Sequence, residues 1–189
     1  MSDRPNILLL MTDQQRGDCL GIEGHPVLQT PYLDHLAAEG VRFRHAYSAC
    51  PVCVPARRTL MTGQTPFHHG VMMNYDTALS GPTLPGELAQ SGYQTHLVGK
   101  LHLWPHRKLY GFCSADWSDG PGHGGDYDTW LEAHGIRHPY AGLSHGATRI
   151  VRSRIVIGDT LAAVIERLRT NRSGNRSGRT CIRTTPTAR

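Results

Sequence analysis

NILLLMTD, residues 6–13, is a continuous apolar run that ends on Thr12 and Asp13. A run of this length without alternation is typical of a strand that is buried on both faces of a parallel sheet. Open α/β sheets bind their ligands beyond the carboxyl ends of the strands. The stretch therefore predicts a β-strand and makes Asp13 a candidate ligand-binding residue, although an aspartate in this position also suits a turn.

Helices and strands alternate outward from this strand. Thr30-Pro31 supplies a capping hydroxyl and a proline at the first helical position, and Gly40 ends that helix. Apolar and polar patterning predicts further helices and strands, with a loop-rich stretch at 110–126. The helices are predicted at 55–61, 84–90 and 127–133, and the strands at 41–47 and 93–98. This rhythm predicts an α/β fold with a mainly parallel sheet flanked by helices.

The composition changes near residue 143. Residues 144–189 carry ten arginines and only Asp159 and Glu166 as acids, a net charge of +8, whereas residues 1–143 have a net charge of −3. We therefore divide the chain into a folded domain at 1–143 and an atypical Arg-rich tail at 144–189. Apart from an amphipathic helix at 158–168, we expect a largely disordered tail, because it has too few apolar residues to offset its ordering entropy. A frameshift or truncation would produce such a tail; a natural disordered extension is the alternative.

Several classes of protein are disfavoured by these patterns. No apolar stretch is long enough to span a bilayer, which argues against a membrane protein. The basic charge lies in a tail without aromatic residues for base stacking, which argues against a nucleic-acid partner. The apolar run at 7–11 is too short for a signal-peptide core, so we expect a cytoplasmic protein. An export signal lost from the start of the chain is the alternative.

CVPAR, residues 53–57, is the centre of the chemical signal. Pro55 fits the first turn of a helix, which leaves Cys53 near a helix N-terminus, where anions are favoured. Arg57 follows one turn later and suits an anionic group. Two other readings stay open: Cys50 and Cys53 form a C-x-x-C redox or zinc half-site, or Cys53 is buried and inert. The odd total of five cysteines argues against a disulfide framework.

VGKLH, residues 98–102, follows the predicted strand at 93–98. On an extended chain, Lys100 and His102 would point to the same side, where a cation and an imidazole suit an anionic ester. Asp13 is followed by Gln14, whose carbonyl oxygen is an acceptable ligand for a hard divalent cation. An exposed pair at a strand end is the alternative for Lys100 and His102.

These three elements together, in this order, resemble the type I, formylglycine-dependent sulfatases of the alkaline-phosphatase-like superfamily. The resemblance covers roughly residues 4–135 and includes HP at 25–26, TPYLD at 30–34 and GVRF at 40–43. It implies a partial sulfatase-like sandwich that is incomplete at its C-terminus. It also implies that Cys53 is oxidised to formylglycine, whose hydrated aldehyde is the nucleophile.

The resemblance further implies roles for the motif residues. Cys53, Arg57, Lys100 and His102 would be catalytic, while Asp13, Gln14 and the modified Cys53 would bind a divalent metal. Ca²⁺ is the expected ion, with Mg²⁺ and Mn²⁺ as alternatives. The expected partners are a small-molecule or carbohydrate sulfate ester and the maturation enzyme that makes formylglycine.

The expected function is sulfuric ester hydrolysis, here in an N-terminal fragment that we expect to be inactive alone. No candidate for the family's second metal-binding pair follows residue 135, because Asp159 is followed by Thr160. The Asp13-Gln14 form favours a rival reading, a phosphonate or phosphate monoester hydrolase on the same scaffold. A non-catalytic remnant and a thiol redox module built on Cys50 and Cys53 are the readings from other classes.

Overall fold

A computed structural model describes residues 5–119 and 125–136, together with the backbone of 179–184. Four strands, five α-helices and a short 3₁₀ helix at Gly21–Glu23 make up these residues. The strands are β1 (Ile7–Met11), β2 (Gln94–Gly99), β3 (Ser114–Trp117) and β4 (Arg179–Thr184). The helices are α1 (Pro31–Glu39), α2 (Cys53–Thr62), α3 (Pro66–His69), α4 (Leu84–Gln90) and α5 (Asp126–Ala133).

The four strands form one parallel sheet in the order β1-β4-β2-β3. Ile7 of β1 pairs with Thr180 of β4, and His96 of β2 pairs with Ser114 of β3. Because all strands run the same way, their carboxyl ends lie along one edge of the sheet. The predicted α/β class with a parallel sheet is confirmed.

Local sequence signals account for most element boundaries. Helix α2 ends at Gly63, which takes the left-handed φ of 70° that a C-terminal glycine adopts without steric cost. Helix α4 begins after Thr83, whose hydroxyl accepts a hydrogen bond from the Gly86 N–H at 3.3 Å. The predicted helices near 31–39, 55–61, 84–90 and 127–133 and the strands near 6–11 and 93–98 are confirmed, with small shifts of their ends. The expectation that the first strand is buried on both faces is wrong, because Ile7, Leu8 and Leu10 are 41%, 53% and 53% exposed.

Two predictions for the sheet are wrong. The segment 41–47 forms no strand, although its residues alternate in polarity. Its apolar side chains are exposed, with Val41, Phe43 and Tyr47 at 80%, 78% and 87%, so no buried face supports a strand there. Conversely, β3 lies in the stretch predicted to be a loop.

The Arg-rich tail contributes β4 to the middle of the sheet. Residues 179–184 pair with both neighbouring strands, and the prediction of a largely disordered tail stays a prediction. The remainder of the tail, including the predicted helix at 158–168, lies outside the described residues, and the division at residue 143 stays a prediction.

The hydrophobic core lies between helix α2 and the β2–β3 half of the sheet. Leu97 of β2 is fully buried, and Val54 and Met61 of α2 pack into the same cluster with Trp117 of β3. Helix α2 and strand β2 therefore contribute to one core. Among the described residues, no helix is long and apolar enough to cross a bilayer.

Candidate active site

Three separate elements bring four of the predicted site residues together. Asp13 lies just past the end of β1, Cys53 and Arg57 lie on the first two turns of α2, and Lys100 follows the end of β2. Their functional atoms lie within about 4 Å of their neighbours, since Lys100 Nζ is 3.8 Å from Cys53 Sγ and Cys53 Sγ is 4.0 Å from Asp13 Oδ1. The candidate site therefore sits at the carboxyl edge of the parallel sheet, where ligands bind in open α/β folds.

Asp13 contacts both cationic side chains of the site. Its Oδ2 accepts hydrogen bonds from Lys100 Nζ at 2.7 Å and from Arg57 Nη2 at 3.2 Å. The side chain of Asp13 is 5% exposed, that of Lys100 is 12% exposed and that of Arg57 is 6% exposed. Two cations thus share one buried carboxylate, and Lys100 places a positive charge beside Cys53. A cation in this position favours an anionic substrate group.

Burial affects the acidity of the arginine. It lowers the pKa of the Arg57 guanidinium, while the carboxylate of Asp13, the Cys53 side chain and the carboxylate of Asp119 oppose that shift. A guanidinium stays charged under these conditions because its ordinary pKa is far above neutrality. Arg57 therefore supplies a permanent positive charge and a fixed fork of donors to the site.

Helix α2 presents Cys53 at its first position. The Val54 N–H, one of the donors that a helix start leaves unpaired, donates to Asn74 Oδ1 at 2.9 Å. The segment that carries Asn74 is held to the same helix by Arg58, whose guanidinium donates to the carbonyls of Thr77 at 2.8 Å and Ala78 at 3.1 Å. Asn74 and Arg58 thus fix the segment 74–78 along α2. Neither was predicted, because each contact joins residues 19 or 20 positions apart.

The turn after β2 is held from two sides. Arg57 Nη1 donates to the Lys100 carbonyl at 2.7 Å, and Asp119 Oδ1 accepts from the N–H groups of Leu101 and His102 at 2.6 and 2.9 Å. Asp119 was not predicted from the sequence either. Like Asp13, Asp119 lies just past the end of a strand. This pattern did not point to Asp119 because strand β3 was not predicted.

His102 and Gln14 both have a left-handed backbone conformation, and their predicted roles stay predictions. Strand β2 ends at Gly99, and His102 takes a φ of 54°, so Lys100 and His102 do not share a side of an extended chain. Gln14 is exposed and has a φ of 49°. The structure thus brings together Asp13, Cys53, Arg57 and Lys100, and it ties His102 to them through its backbone.

The described residues supply only part of a divalent-metal site. Calcium takes six to eight oxygen ligands. Around Asp13 the structure shows one carboxylate held by two cations, and no group of three or more His, Cys, Asp or Glu side chains among residues 5–119 and 125–136 has metal-binding geometry. Asp13, Gln14 and a modified Cys53 therefore do not fit a complete metal site by themselves.

The two cysteines of the C-x-x-C motif have different neighbours. Cys50 and Cys53 are both free, and Cys50 Sγ approaches the Met72 carbonyl oxygen at 4.0 Å. Cys53 Sγ instead faces Asp13 and Lys100. The surroundings of Cys53 are those of a charged site for an anion rather than those of a dithiol.

Comparison with known proteins places this geometry in a family. The family profile described as Sulfatase matches residues 5–148. An arylsulfatase of Clostridium perfringens is 40% identical over 124 residues, which cover 62% of this chain and 25% of that protein. The human N-acetylgalactosamine-6-sulfatase is 37% identical over 143 residues, which cover 66% of this chain and 27% of that protein. The chain thus spans about a quarter of the length of these curated relatives.

Solved structures agree. The phosphonate monoester hydrolase of Agrobacterium radiobacter superposes with a TM-score of 0.71 at 28% identity, over 96% of this chain and 41% of that one. A protein in complex with its substrate D-glucosamine-2-N,6-O-disulfate superposes with a TM-score of 0.70 at 25% identity, over 99% of this chain and 35% of that one. Sulfatases use a divalent metal and a formylglycine. With its motif residues gathered at the carboxyl edge of an alkaline-phosphatase-like sheet, this chain belongs to the sulfatase family.

Proposed function

We propose that this chain carries the nucleophile and anion-binding part of a sulfuric ester hydrolase, with Cys53 as the precursor of formylglycine. One observation carries the proposal: Lys100 Nζ lies 3.8 Å from Cys53 Sγ and 2.7 Å from Asp13 Oδ2. A buried cation beside the residue that becomes the nucleophile is suited to a sulfate group, whose negative charge it would offset.

The residues around Cys53 have separable tasks in this proposal. A formylglycine at position 53 would supply a hydrated aldehyde, one oxygen of which would bond to the ester sulfur as the bond from sulfur to the alcohol oxygen breaks. The second hydroxyl of the diol would then re-form the aldehyde and release the sulfate. Lys100 binds a sulfate oxygen and stabilises the charge that develops on it. Arg57 orients Asp13 and holds the Lys100 carbonyl, so that both cations keep their places before substrate arrives. His102 is the proposed proton donor to the leaving alcohol.

We further propose that the 189-residue chain does not hydrolyse sulfate esters unaided. The support is the donor set at Asp13, which falls short of the six to eight oxygens of a calcium site among the described residues. Ca²⁺ is the proposed ion of the complete enzyme, with Mg²⁺ and Mn²⁺ as alternatives.

The proposed substrate is a carbohydrate sulfate ester. The names of several relatives support this class, including an N-acetylglucosamine-6-O-sulfatase of Bacteroides thetaiotaomicron that is 34% identical over 143 residues. A phosphonate monoester is the second candidate. It is favoured by the Asp13-Gln14 pair and by the similarity to the Agrobacterium radiobacter hydrolase.

The test begins with the modification. The chain is produced together with a formylglycine-generating enzyme, the proposed maturation partner, and the peptide that contains position 53 is analysed by mass spectrometry. We expect an aldehyde at position 53 in the parent and in the matched control Cys50→Ala, and none in Cys53→Ala. A thiol that persists at Cys53, while a known substrate of the same enzyme is converted, would favour a non-catalytic remnant.

Turnover then separates the two ester classes. The modified chain is assayed with an aryl sulfate and with a phosphonate monoester, each with and without added Ca²⁺. We expect no turnover of either by this chain alone, and sulfate-ester turnover once the remaining part of a sulfatase domain is restored. Preferential turnover of the phosphonate by the restored enzyme would reverse the substrate assignment.

A further inference from the structure

We propose that Asp119 is a positioning residue for the sulfate-binding turn that carries Lys100 and His102. This inference rests on the proposed function, because it assigns a task at the same site. Asp119 lies outside the sequence motifs of the site, and it reaches the turn through hydrogen bonds to residues 17 and 18 positions away in the chain.

Both hydrogen bonds end on the same carboxylate oxygen. A single oxygen, Asp119 Oδ1, accepts both the Leu101 N–H at 2.6 Å and the His102 N–H at 2.9 Å. Hydrogen bonds to an ionised acceptor are roughly twice as strong as neutral ones. Two successive N–H groups that converge on one anion also define the backbone conformation between them. Asp119 therefore specifies the path of the chain at Leu101 and His102.

The turn needs such support because of its backbone. Gly99 takes a φ of 107°, which suits a glycine, but His102 takes a φ of 54°, which few residues other than glycine adopt without cost. Strain of this kind persists only where surrounding contacts over-determine it. The Asp119 carboxylate supplies that contact at the strained residue itself.

Neighbouring elements place Asp119 where it is needed. The residue follows β3 by two positions, and the Ser118 N–H donates to the Gly99 carbonyl at 3.0 Å, so the chain beyond β3 runs alongside the turn beyond β2. On the other side of the turn, Arg57 Nη1 donates to the Lys100 carbonyl at 2.7 Å. The turn is thus clamped by an arginine on its carbonyl side and by an aspartate on its amide side.

The test compares three variants with the parent chain. Asp119→Ala removes the acceptor, Asp119→Asn keeps an acceptor oxygen without the charge, and Asp116→Asn is the matched control. Asp116 is a carboxylate three positions earlier whose Oδ2 lies 3.1 Å from His96 Nε2, away from the turn. Amide hydrogen exchange at Leu101 and His102 reports the positioning, and titration with inorganic sulfate reports the anion site.

We expect Asp119→Ala to speed exchange at Leu101 and His102 by about tenfold or more, as the loss of charge-assisted hydrogen bonds implies. Leu97 and Val98 in β2 should keep their protection, and sulfate affinity should fall. Asp119→Asn should restore most of both readouts, and Asp116→Asn should leave both unchanged.

Three results would overturn the inference. They are unchanged exchange at Leu101 and His102 in Asp119→Ala, an equal loss of protection throughout β2, and failure of Asp119→Asn to restore what Asp119→Ala loses. Absence of sulfate binding by the parent chain is a different failure: it counts against the proposed function, while the exchange data still decide the role of Asp119.

Discussion

Lys100 Nζ and Asp13 Oδ2 lie 2.7 Å apart and join two strands that are not neighbours in the sheet. Asp13 follows β1 and Lys100 follows β2, and β4 lies between these strands. The ion pair therefore spans the width of two strand spacings at the edge where the sheet would bind its ligand. Arg57 reaches the same carboxylate from α2, so one aspartate connects the sheet and the helix that carries Cys53.

Because two cations share one carboxylate, removing the carboxylate should cost more than removing either cation. Asp13→Asn leaves Lys100 and Arg57 buried without their common partner, and we expect a loss of about 3–5 kcal/mol in the free energy of unfolding. Lys100→Met leaves a one-to-one pair of Arg57 and Asp13 and should cost less. Urea unfolding of the two variants measures the difference. Equal losses would show that Lys100 is the dominant partner of Asp13.

The amide of Asn74 should contribute to the stability of the start of α2. Asn74→Ala leaves the Val54 N–H without the acceptor that lies at 2.9 Å, and we expect a loss of about 1 kcal/mol. Asn74→Asp keeps an acceptor and adds a negative charge at a helix N-terminus, which is favourable, so it should retain more stability than the alanine variant. Thermal unfolding of both variants makes the comparison. An alanine variant as stable as the aspartate variant would contradict this role.

Arg58 should be a stability residue rather than a catalytic one. Its guanidinium donates to the Thr77 and Ala78 carbonyls, and its Nε is buried without a hydrogen-bond partner among the described residues. Arg58→Met would leave two carbonyl acceptors without these donors, a loss of roughly 2–5 kcal/mol. Denaturant unfolding measures this loss, with Arg44→Met at an exposed position as the matched control. A loss no larger than that of the control would mean that water replaces the guanidinium at no cost.

Tyr110 should limit stability in alkali. Burial raises the pKa of its hydroxyl to about 12, from the ordinary value of 10.0, and the hydroxyl donates to the Pro105 carbonyl at 3.0 Å. The unfolded chain loses this proton near pH 10 while the folded chain retains it, so the stability that Tyr110 contributes is present below pH 10 and is lost as pH rises toward 12. Urea unfolding at pH 8 and pH 11 should show a smaller loss with pH for Tyr110→Phe than for the parent. An identical loss in both proteins would assign the alkaline sensitivity to other groups.

Short sequence patterns correctly predicted the strands and helices whose formation depends mainly on their own residues. The apolar run before Asp13 predicted β1, and Pro31 with Gly40 marked both ends of α1. The same logic failed at 41–47, where alternation without a buried face produced no strand. It also missed β3, whose only fully buried side chain is Trp117 and which lies in a stretch rich in glycine and aspartate. Strand formation depends on neighbours that a short window does not contain.

The residues of the site also fall into those that the sequence predicted and those that it did not. Asp13, Cys53, Arg57 and Lys100 were found because each belongs to a motif with a recognisable order, and the structure brings their side chains together. Asn74 and Asp119 were not found because their tasks are defined by contacts with distant backbone amides rather than by a motif. The extended path assumed for Lys100 and His102 is not the one that the chain takes, since His102 has a φ of 54°, and the role of His102 stays a prediction. Residues that support a site are therefore harder to predict than residues that perform its chemistry.

The position of β4 has a consequence for the order in which the molecule assembles. Within the described residues, β1 pairs only with β4, and Ile7 meets Thr180 across more than 170 residues of chain. Contacts of such long range close slowly, since the entropy of a large loop is lost before the pairing stabilises it. At ordinary rates of translation, a nascent chain would hold β1 unpaired for roughly 10–30 s before β4 is synthesised. During that interval the backbone groups of an apolar strand are unpaired and accessible to chaperones and to other nascent chains, which favours aggregation during synthesis.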